Sequence, residues 1–279
     1  MELPLFGNRL EFYPGQIVTV ASHSGIGKTA LMQSLFLESK ENIAYLNIGM
    51  PKTAFNDRLH SIVFEFPVKE SSSDWKAYEP LINAKLSEIM EGKNTKHTPL
   101  IDDVGIFNYI KEMKTEKGIS VFIVDYLNLV ESSKKHQNRY EEISYIFRII
   151  KQAALLYDVT IFVLAGLNRT ASMEYSKYHE PEIMHLRDSG TIADDSDIVI
   201  LLYRAEYYGF DKFPDNESSN GKIEIKVAKN TNGERICFRL GFREDIPRVY
   251  PKDVETKLND GDFDATSAYL SDEDLEFVN

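Results

Sequence analysis

The chain has 279 residues, of which 43% are apolar, 27% charged and 11% aromatic, the composition of a globular protein with enough apolar material for a sizeable core. Its 32 Lys and Arg against 44 Asp and Glu leave a net charge of -12, which argues against a diffuse basic surface for duplex DNA while leaving room for a local basic groove. The single cysteine, Cys237, excludes an intramolecular disulfide and a multi-cysteine zinc site and points to a reducing, cytoplasmic setting. The first residues lack a signal-peptide pattern, and no apolar run approaches the roughly 20 residues of a membrane span.

Five short runs are almost continuously apolar and β-branched, as strands buried on both faces read: Ile17–Val20, Ile43–Ile48, Val121–Val124, Thr160–Leu164 and Ile198–Leu202. Helical spacing separates them. Its clearest instance puts Ile143, Ile146, Ile150 and Ala153 on one face and Glu141, Arg148 and Lys151 on the other. Alternating strands and helices predict an α/β fold with a mostly parallel central sheet and helices on both faces. Residues Lys222–Ala228 and Arg235–Phe242, joined by a link containing Asn232-Gly233, predict a C-terminal β-hairpin with Cys237 in its core. The expected organisation is one α/β domain over residues 1–250 and an acidic tail over 251–279. From Lys252 onward the tail holds nine Asp or Glu against two Lys. Its mix of acidic and apolar residues suits a solubilising end, a partner-docking segment or an occupant of the chain's own DNA groove. Segments 131–138, 170–182 and 209–221 read as surface loops, the last as a mobile one.

The strongest local signal is Ser22-His23-Ser24-Gly25-Ile26-Gly27-Lys28-Thr29, set between the first strand and the helical run that begins at Ala30. A phosphate loop needs glycines so that backbone N–H groups can turn inward, a lysine to reach the β- and γ-phosphates, a hydroxyl for magnesium, and a helix N-terminus facing the anion. All are present in order, with Ser22 in place of the first glycine. The expected nucleotide-binding residues are Ser24, Gly25, Ile26, Gly27, Lys28, Thr29 and Ala30. A second signal, the apolar strand Val121–Val124 ending in Asp125, supplies the carboxylate that orients magnesium at the edge of a parallel sheet. Thr29 and Asp125 are the expected magnesium ligands, and ATP with Mg2+ the expected ligand pair. The six histidines show no metal spacing.

Taken in order, these strings resemble the C-terminal, RecA-like motor domain of the DnaB-type replicative helicases, a P-loop ATPase. The resemblance runs from Leu10 to Phe242 and rests on the phosphate loop, Met50-Pro51, Ile101-Asp102-Asp103, Asp125-Tyr126-Leu127-Asn128-Leu129, Asn138-Arg139 with Glu142-Ile143, Leu167-Asn168-Arg169 and Leu186-Arg187-Asp188-Ser189-Gly190-Thr191-Ile192. It implies that Arg187, Asp188 and Gly190 follow single-stranded DNA in a central channel, which Lys134, Lys135 and His136 also face. It implies further that Lys229 reaches the γ-phosphate of a neighbouring subunit. Tyr207, Tyr208 and Phe210 read as loop anchors or as base-stacking residues.

Three positions depart from the family. Its catalytic glutamate is replaced by Gly49, its γ-phosphate-sensing glutamine by Gly166 and its arginine finger by Thr231. Glycine can neither orient water nor accept its proton, and threonine cannot stabilise transition-state charge. A general base contributes roughly 10²–10⁴-fold and an arginine finger roughly 10³–10⁵-fold. The expectation is an ATP-binding, DnaB-like protein acting on single-stranded DNA or in replication, with weakened hydrolysis. The alternatives are an active divergent helicase in which Asp102 or Asp103 replaces the lost base, and a nucleotide-gated, non-enzymatic partner of a helicase. Only about fourteen residues precede the first strand, too few for the family's linker helix, so hexamer formation is in doubt. The acidic tail is the expected contact for other replication proteins.

Overall fold

The computed structural model describes residues 1, 3–67, 75–168, 178–186 and 190–251. Its elements are β1 (Ile17–Ser22), α1 (Lys28–Glu38), β2 (Ile43–Asn47), α2 (Lys52–Phe64), α3 (Trp75–Ile89), β3 (Lys93–His97), α4 (Asp103–Lys117), β4 (Val121–Asp125), α5 (Arg139–Tyr157), β5 (Thr160–Gly166), α6 (Gly190–Asp195), β6 (Ile198–Tyr203), β7 (Lys222–Asn230), β8 (Cys237–Arg243) and β9 (Arg248–Tyr250). The strands form a nine-stranded sheet of order β3-β2-β4-β5-β1-β6-β7-β8-β9. It is parallel from β3 to β6 and antiparallel from β6 to β9.

The apolar runs form these strands because both sheet faces are covered. Along β1, Val18 and Val20 join one core with Leu31, Leu35 and Phe36 of α1 and Phe55, Leu59 and Ile62 of α2. Ile17 and Ala21 point the other way, into a second core with Ile106 and Ile110 of α4 and Ile143, Ile146, Phe147 and Ile150 of α5. This period of two converts a continuously apolar strand into two cores. Each fully buried side chain of this kind contributes about 1.5–3 kcal/mol. Helix α5 keeps the predicted face, with Ile143, Ile146, Ile150 and Ala153 fully buried. Asn138 caps its start by accepting the Glu141 N–H at 2.9 Å.

The strand runs, the parallel sheet, the helices on both faces and the C-terminal hairpin appear as expected. Two strands lie outside the expectation. β3 reads Lys-Asn-Thr-Lys-His and carries no apolar residue, because it is an edge strand held by its register with β2, Ile43↔Lys93 to Asn47↔His97. β9 is three residues long and is fixed by β8 and by the Val249 N–H donating to Ser34 Oγ on α1 at 3.0 Å. Before β1, Leu3, Leu5, Phe6, Leu10 and Phe12 are all buried, with the Phe12 ring 5.2 Å from Phe162.

One expectation is corrected. Cys237 is exposed, because it opens β8 beside the hairpin tip rather than in its core. Loop 209–221 is largely exposed and is pinned to the sheet at one side chain. Its Phe213 is 2% exposed, and Arg239 of β8 lies 3.8 Å over the Phe213 ring while bonding Asp215 at 2.8 Å, Glu217 and Glu224. Tyr208 stacks on Tyr203 and Phe210 packs on Tyr178, so both serve as loop anchors. The tail from residue 252 and most of the 170–182 loop fall outside the described residues.

Candidate functional site

Parallel strands leave their C-terminal ends on one edge of the sheet. Because β4, β5, β1 and β6 are neighbours, the segments that follow them converge there. They enclose a cleft of about 600 Å³ whose lining includes Ser24, Gly25, Gly27, Lys28, Thr29, Ala30 and Asp125. Of the expected nucleotide-binding set, Ile26 is the exception within the loop. It is 1% exposed and anchors the loop in the core below.

Gly25 and Gly27 adopt φ of +83° and +127°. A Cβ at 25 would lie 2.8 Å from the Tyr207 hydroxyl, and one at 27 would lie 2.9 Å from Phe242 Cε2. Only glycine suits both the backbone and the space. The turn delivers Lys28 to the first position of α1, where the helix dipole and free N–H groups favour an anion. The Lys28 ammonium folds back on the loop, donating to Ser22 O at 2.9 Å, Ser22 Oγ at 3.1 Å and His23 O at 3.1 Å. Burial lowers its pKa to about 8, partly opposed by the Asp125 charge.

Asp125 ends β4 and is itself buried. Its Oδ2 accepts from Thr29 Oγ1 at 2.9 Å and from the Tyr45 hydroxyl at 2.6 Å. Burial raises the carboxyl's pKa, with those two hydrogen bonds and the Lys28 charge pulling it back down. The hydroxyl and carboxylate expected to share magnesium are therefore in contact. Hydroxyl, one carboxylate and substrate phosphates are donors that Mg2+ accepts. Among the described residues no group of three His, Cys, Asp or Glu forms a separate metal site.

The other expected residues lie elsewhere. Lys229 is on β7 opposite Val199, at the N-terminal edge of the parallel strands, and does not line its own chain's cleft. It donates to Ala193 O at 2.9 Å and Asp194 O at 2.8 Å, and Thr231 beside it donates to Asp197 O at 2.6 Å. Gly190 opens α6, where a Cβ would lie 3.1 Å from the Tyr140 hydroxyl. Arg187 and Asp188 lie outside the described residues.

The altered positions are legible in space. A Cβ at Gly49 would meet Leu129 Cδ1 at 3.0 Å and Tyr126 Cε1 at 3.2 Å. At Gly166 the nearest atom, Asn128 Oδ1, is 3.9 Å away. The two carboxylates considered as replacements are employed elsewhere. Asp102 caps α4 by accepting the Gly105 N–H at 2.7 Å, and Asp103 is 2% exposed and bonded to the Ser133 backbone and hydroxyl. Neither lines the cleft. Among the described residues, the acidic ones that do are Asp125 and Glu244.

Sequence reasoning passed over Tyr45, Arg58, Arg204, Phe242 and Glu244. Arg58, on α2, adds positive charge to the cleft wall near Asp125. Arg204 follows β6 and is 2% exposed, with its guanidinium 4.0 Å over the Phe242 ring and 3.2 Å from Glu244 Oε2. Its Nε and Nη1 have no partner among the described residues. A buried cation stacked on an aromatic ring thus forms part of the cleft wall. The one sequence signal is a charge placed directly after an apolar strand.

Residues 10–250 match the family model described as DnaB-like helicase C terminal domain. The chain belongs to this family. A relative described as a probable plasmid replicative DNA helicase, from Chlamydia psittaci, is 29% identical over 241 residues, covering 82% of this chain and 50% of the relative. The replicative DNA helicase DnaB of Geobacillus stearothermophilus is 29% identical over 241 residues, covering 83% and 51%. The chain thus spans about half the length of these curated relatives. Among solved structures, an isolated ATPase domain superposes with a TM-score of 0.76 at 22% identity, over 90% of this chain and 91% of that one. A DnaB-like replicative helicase, described with its interactions with primase, superposes with a TM-score of 0.72 at 22% identity, over 86% and 58%. The RecA-like ATPase fold of the DnaB family is the fold of this chain.

Proposed function

We propose that this DnaB-family domain binds Mg-ATP in the cleft at the C-terminal edge of its sheet, acts on single-stranded DNA in a replication setting, and hydrolyses ATP far more slowly than its relatives. The observation that carries the reading is the content of the cleft. Gly25, Gly27, Lys28, Thr29 and Asp125 come together there, while the carboxylates that line the cleft among the described residues are Asp125, engaged with Thr29 and Tyr45, and Glu244, exposed beside Arg204. No side chain can serve as general base at Gly49.

In this reading the loop N–H groups and Lys28 hold the β- and γ-phosphates, and the base lies against Arg204 and Phe242. Magnesium, held by Thr29 and Asp125, would neutralise phosphate charge. Lys229 and Thr231 sit on the opposite edge of the sheet, so they can meet only the cleft of another copy. This supports a head-to-tail arrangement in which Lys229 contributes in trans, as the family resemblance implies.

The test is to incubate the chain with ATP and Mg2+, with and without single-stranded DNA, strip free nucleotide and identify what remains, with Lys28→Ala as control. Retained ATP is expected. Retained ADP with released phosphate would restore the active-helicase reading, and no retained nucleotide would overturn nucleotide binding altogether.

A further inference from the structure

The geometry points to Asn128 as the residue that reads the γ-phosphate in this chain, standing in for the side chain absent at Gly166; the inference rests on the nucleotide reading above. Asn128 lies three residues after Asp125, in the 3-10 turn Leu127–Leu129, and lines the cleft. Its Oδ1 accepts the Gly166 N–H at 3.4 Å, so the carboxamide lies over the position that lacks a side chain.

Gly166 pairs with Ser22 across β5 and β1, and Ser22 O and Oγ hold the Lys28 ammonium. The Asn128 amide is therefore two contacts from the group that reaches the phosphates, and Asp125 links the same turn to Thr29. The side chain is half-buried, and its Nδ2 donates to no protein atom among the described residues. Among the described residues it is the one carboxamide in the cleft lining. Around it the wall offers the apolar Met50 and the Tyr126 ring that packs on Gly49. A γ-phosphate oxygen would be an acceptor for that N–H group, one that ADP lacks.

The turn is anchored for this task. Arg139, the first residue of α5, donates through Nη2 to the Asn128 carbonyl at 2.7 Å and the Val130 carbonyl at 3.4 Å, and its Nη1 pairs with Glu142 at 2.8 Å. Glu142 in turn accepts the Ser132 N–H at 3.2 Å, at the start of the loop bearing Lys134 and Lys135. The backbone of the reader and the foot of that loop thus share one guanidinium–carboxylate pair.

The experiment compares ATP and ADP affinities of the full chain, with Mg2+, by displacement of a fluorescent nucleotide. Asn128→Asp keeps the shape and the acceptor for the Gly166 N–H but exchanges the donor for a negative charge; Asn128→Ala removes the group. A hydrogen bond to a charged group corresponds to about tenfold or more in affinity. Both variants are expected to lose about tenfold in ATP affinity while ADP affinity is unchanged. Gly166→Gln, for which there is room, is expected to return the ATP preference to Asn128→Ala. Unchanged ATP affinity in Asn128→Asp, or a parallel fall for both nucleotides, overturns the inference with nucleotide binding intact. Failure of the unaltered chain to bind either nucleotide overturns the underlying reading as well.

Discussion

The two walls of the cleft are furnished differently. On the wall built by α1 and β4, Thr29 and Tyr45 both donate to Asp125, and Lys28 is held beside them by Ser22 and His23. Gly49 and Gly166 stand at the ends of β2 and β5; Gly166 lines the cleft, and the Tyr126 and Leu129 side chains crowd the space at Gly49. In the reading proposed above, binding a nucleotide and cleaving it are separable demands on one fold, met by different strands.

The largest expected effect comes from rebuilding the poorer wall. A glutamate at Gly49 must displace Leu129, so the variant to make is Gly49→Glu with Leu129→Ala and Gly166→Gln. Its steady-state ATP turnover should rise by roughly 10²–10⁴-fold over the unaltered chain, the contribution of a positioned general base. An unchanged rate would show that the difference between the walls does not limit hydrolysis.

The richer wall is tested next through Arg204. Arg204→Ala should weaken ATP by roughly tenfold, the scale of a cation stacked on a desolvated ring and base, and leave inorganic tripolyphosphate binding unchanged. A parallel loss of both would place Arg204 on the phosphates instead of the base. A third effect comes from pH. Lys28 must be charged to hold phosphates, and its pKa in the free chain is about 8. ATP affinity should be nearly flat up to about pH 7, halve by about pH 8 and fall roughly tenfold by about pH 9 in calorimetric titrations. Lys28→Arg, which stays charged, should remove the fall.

The smallest effect lies outside the cleft. Burial raises the Glu38 carboxyl to about pKa 7, against the pull of Arg248. The folded chain therefore holds a proton there that the unfolded chain releases near pH 4.5, so this group's contribution to stability is lost as pH rises from about 4.5 to 7. Glu38→Gln should melt with the unaltered chain at pH 5 and a few degrees above it at pH 8, followed by circular dichroism.

Much of this was legible in the residues. The β-branched runs fixed the central strands because burial on two faces leaves no alternation to misread, and the phosphate loop declared itself through glycines whose positive φ no other residue adopts without strain. β3 was invisible because an edge strand is held by its neighbour's register and needs no apolar residue of its own. β9 was too short to show a period. Tyr45, Arg58, Arg204 and Phe242 escaped notice because each sits alone in its segment and acquires meaning only when four strand ends are brought to one edge. Asp102 and Asp103 show the converse: two acids in the right region of the sequence, one already committed to capping α4 and the other to holding Ser133.

The short strand β9 has a mechanical consequence. Its backbone is buttoned to Ser34, in the middle of the helix that begins with Lys28, and its Arg248 is tied to Glu65 at the end of α2 and lies 3.7 Å from Glu38 at the end of α1. The hairpin is hydrogen-bonded to β9 at one end and carries Lys229 and Thr231 near its tip. These contacts form one continuous path from the hairpin tip along the antiparallel ladder to the helix behind the phosphate loop. In the head-to-tail arrangement proposed above, that path would let each chain's hairpin register how tightly its neighbour's cleft grips.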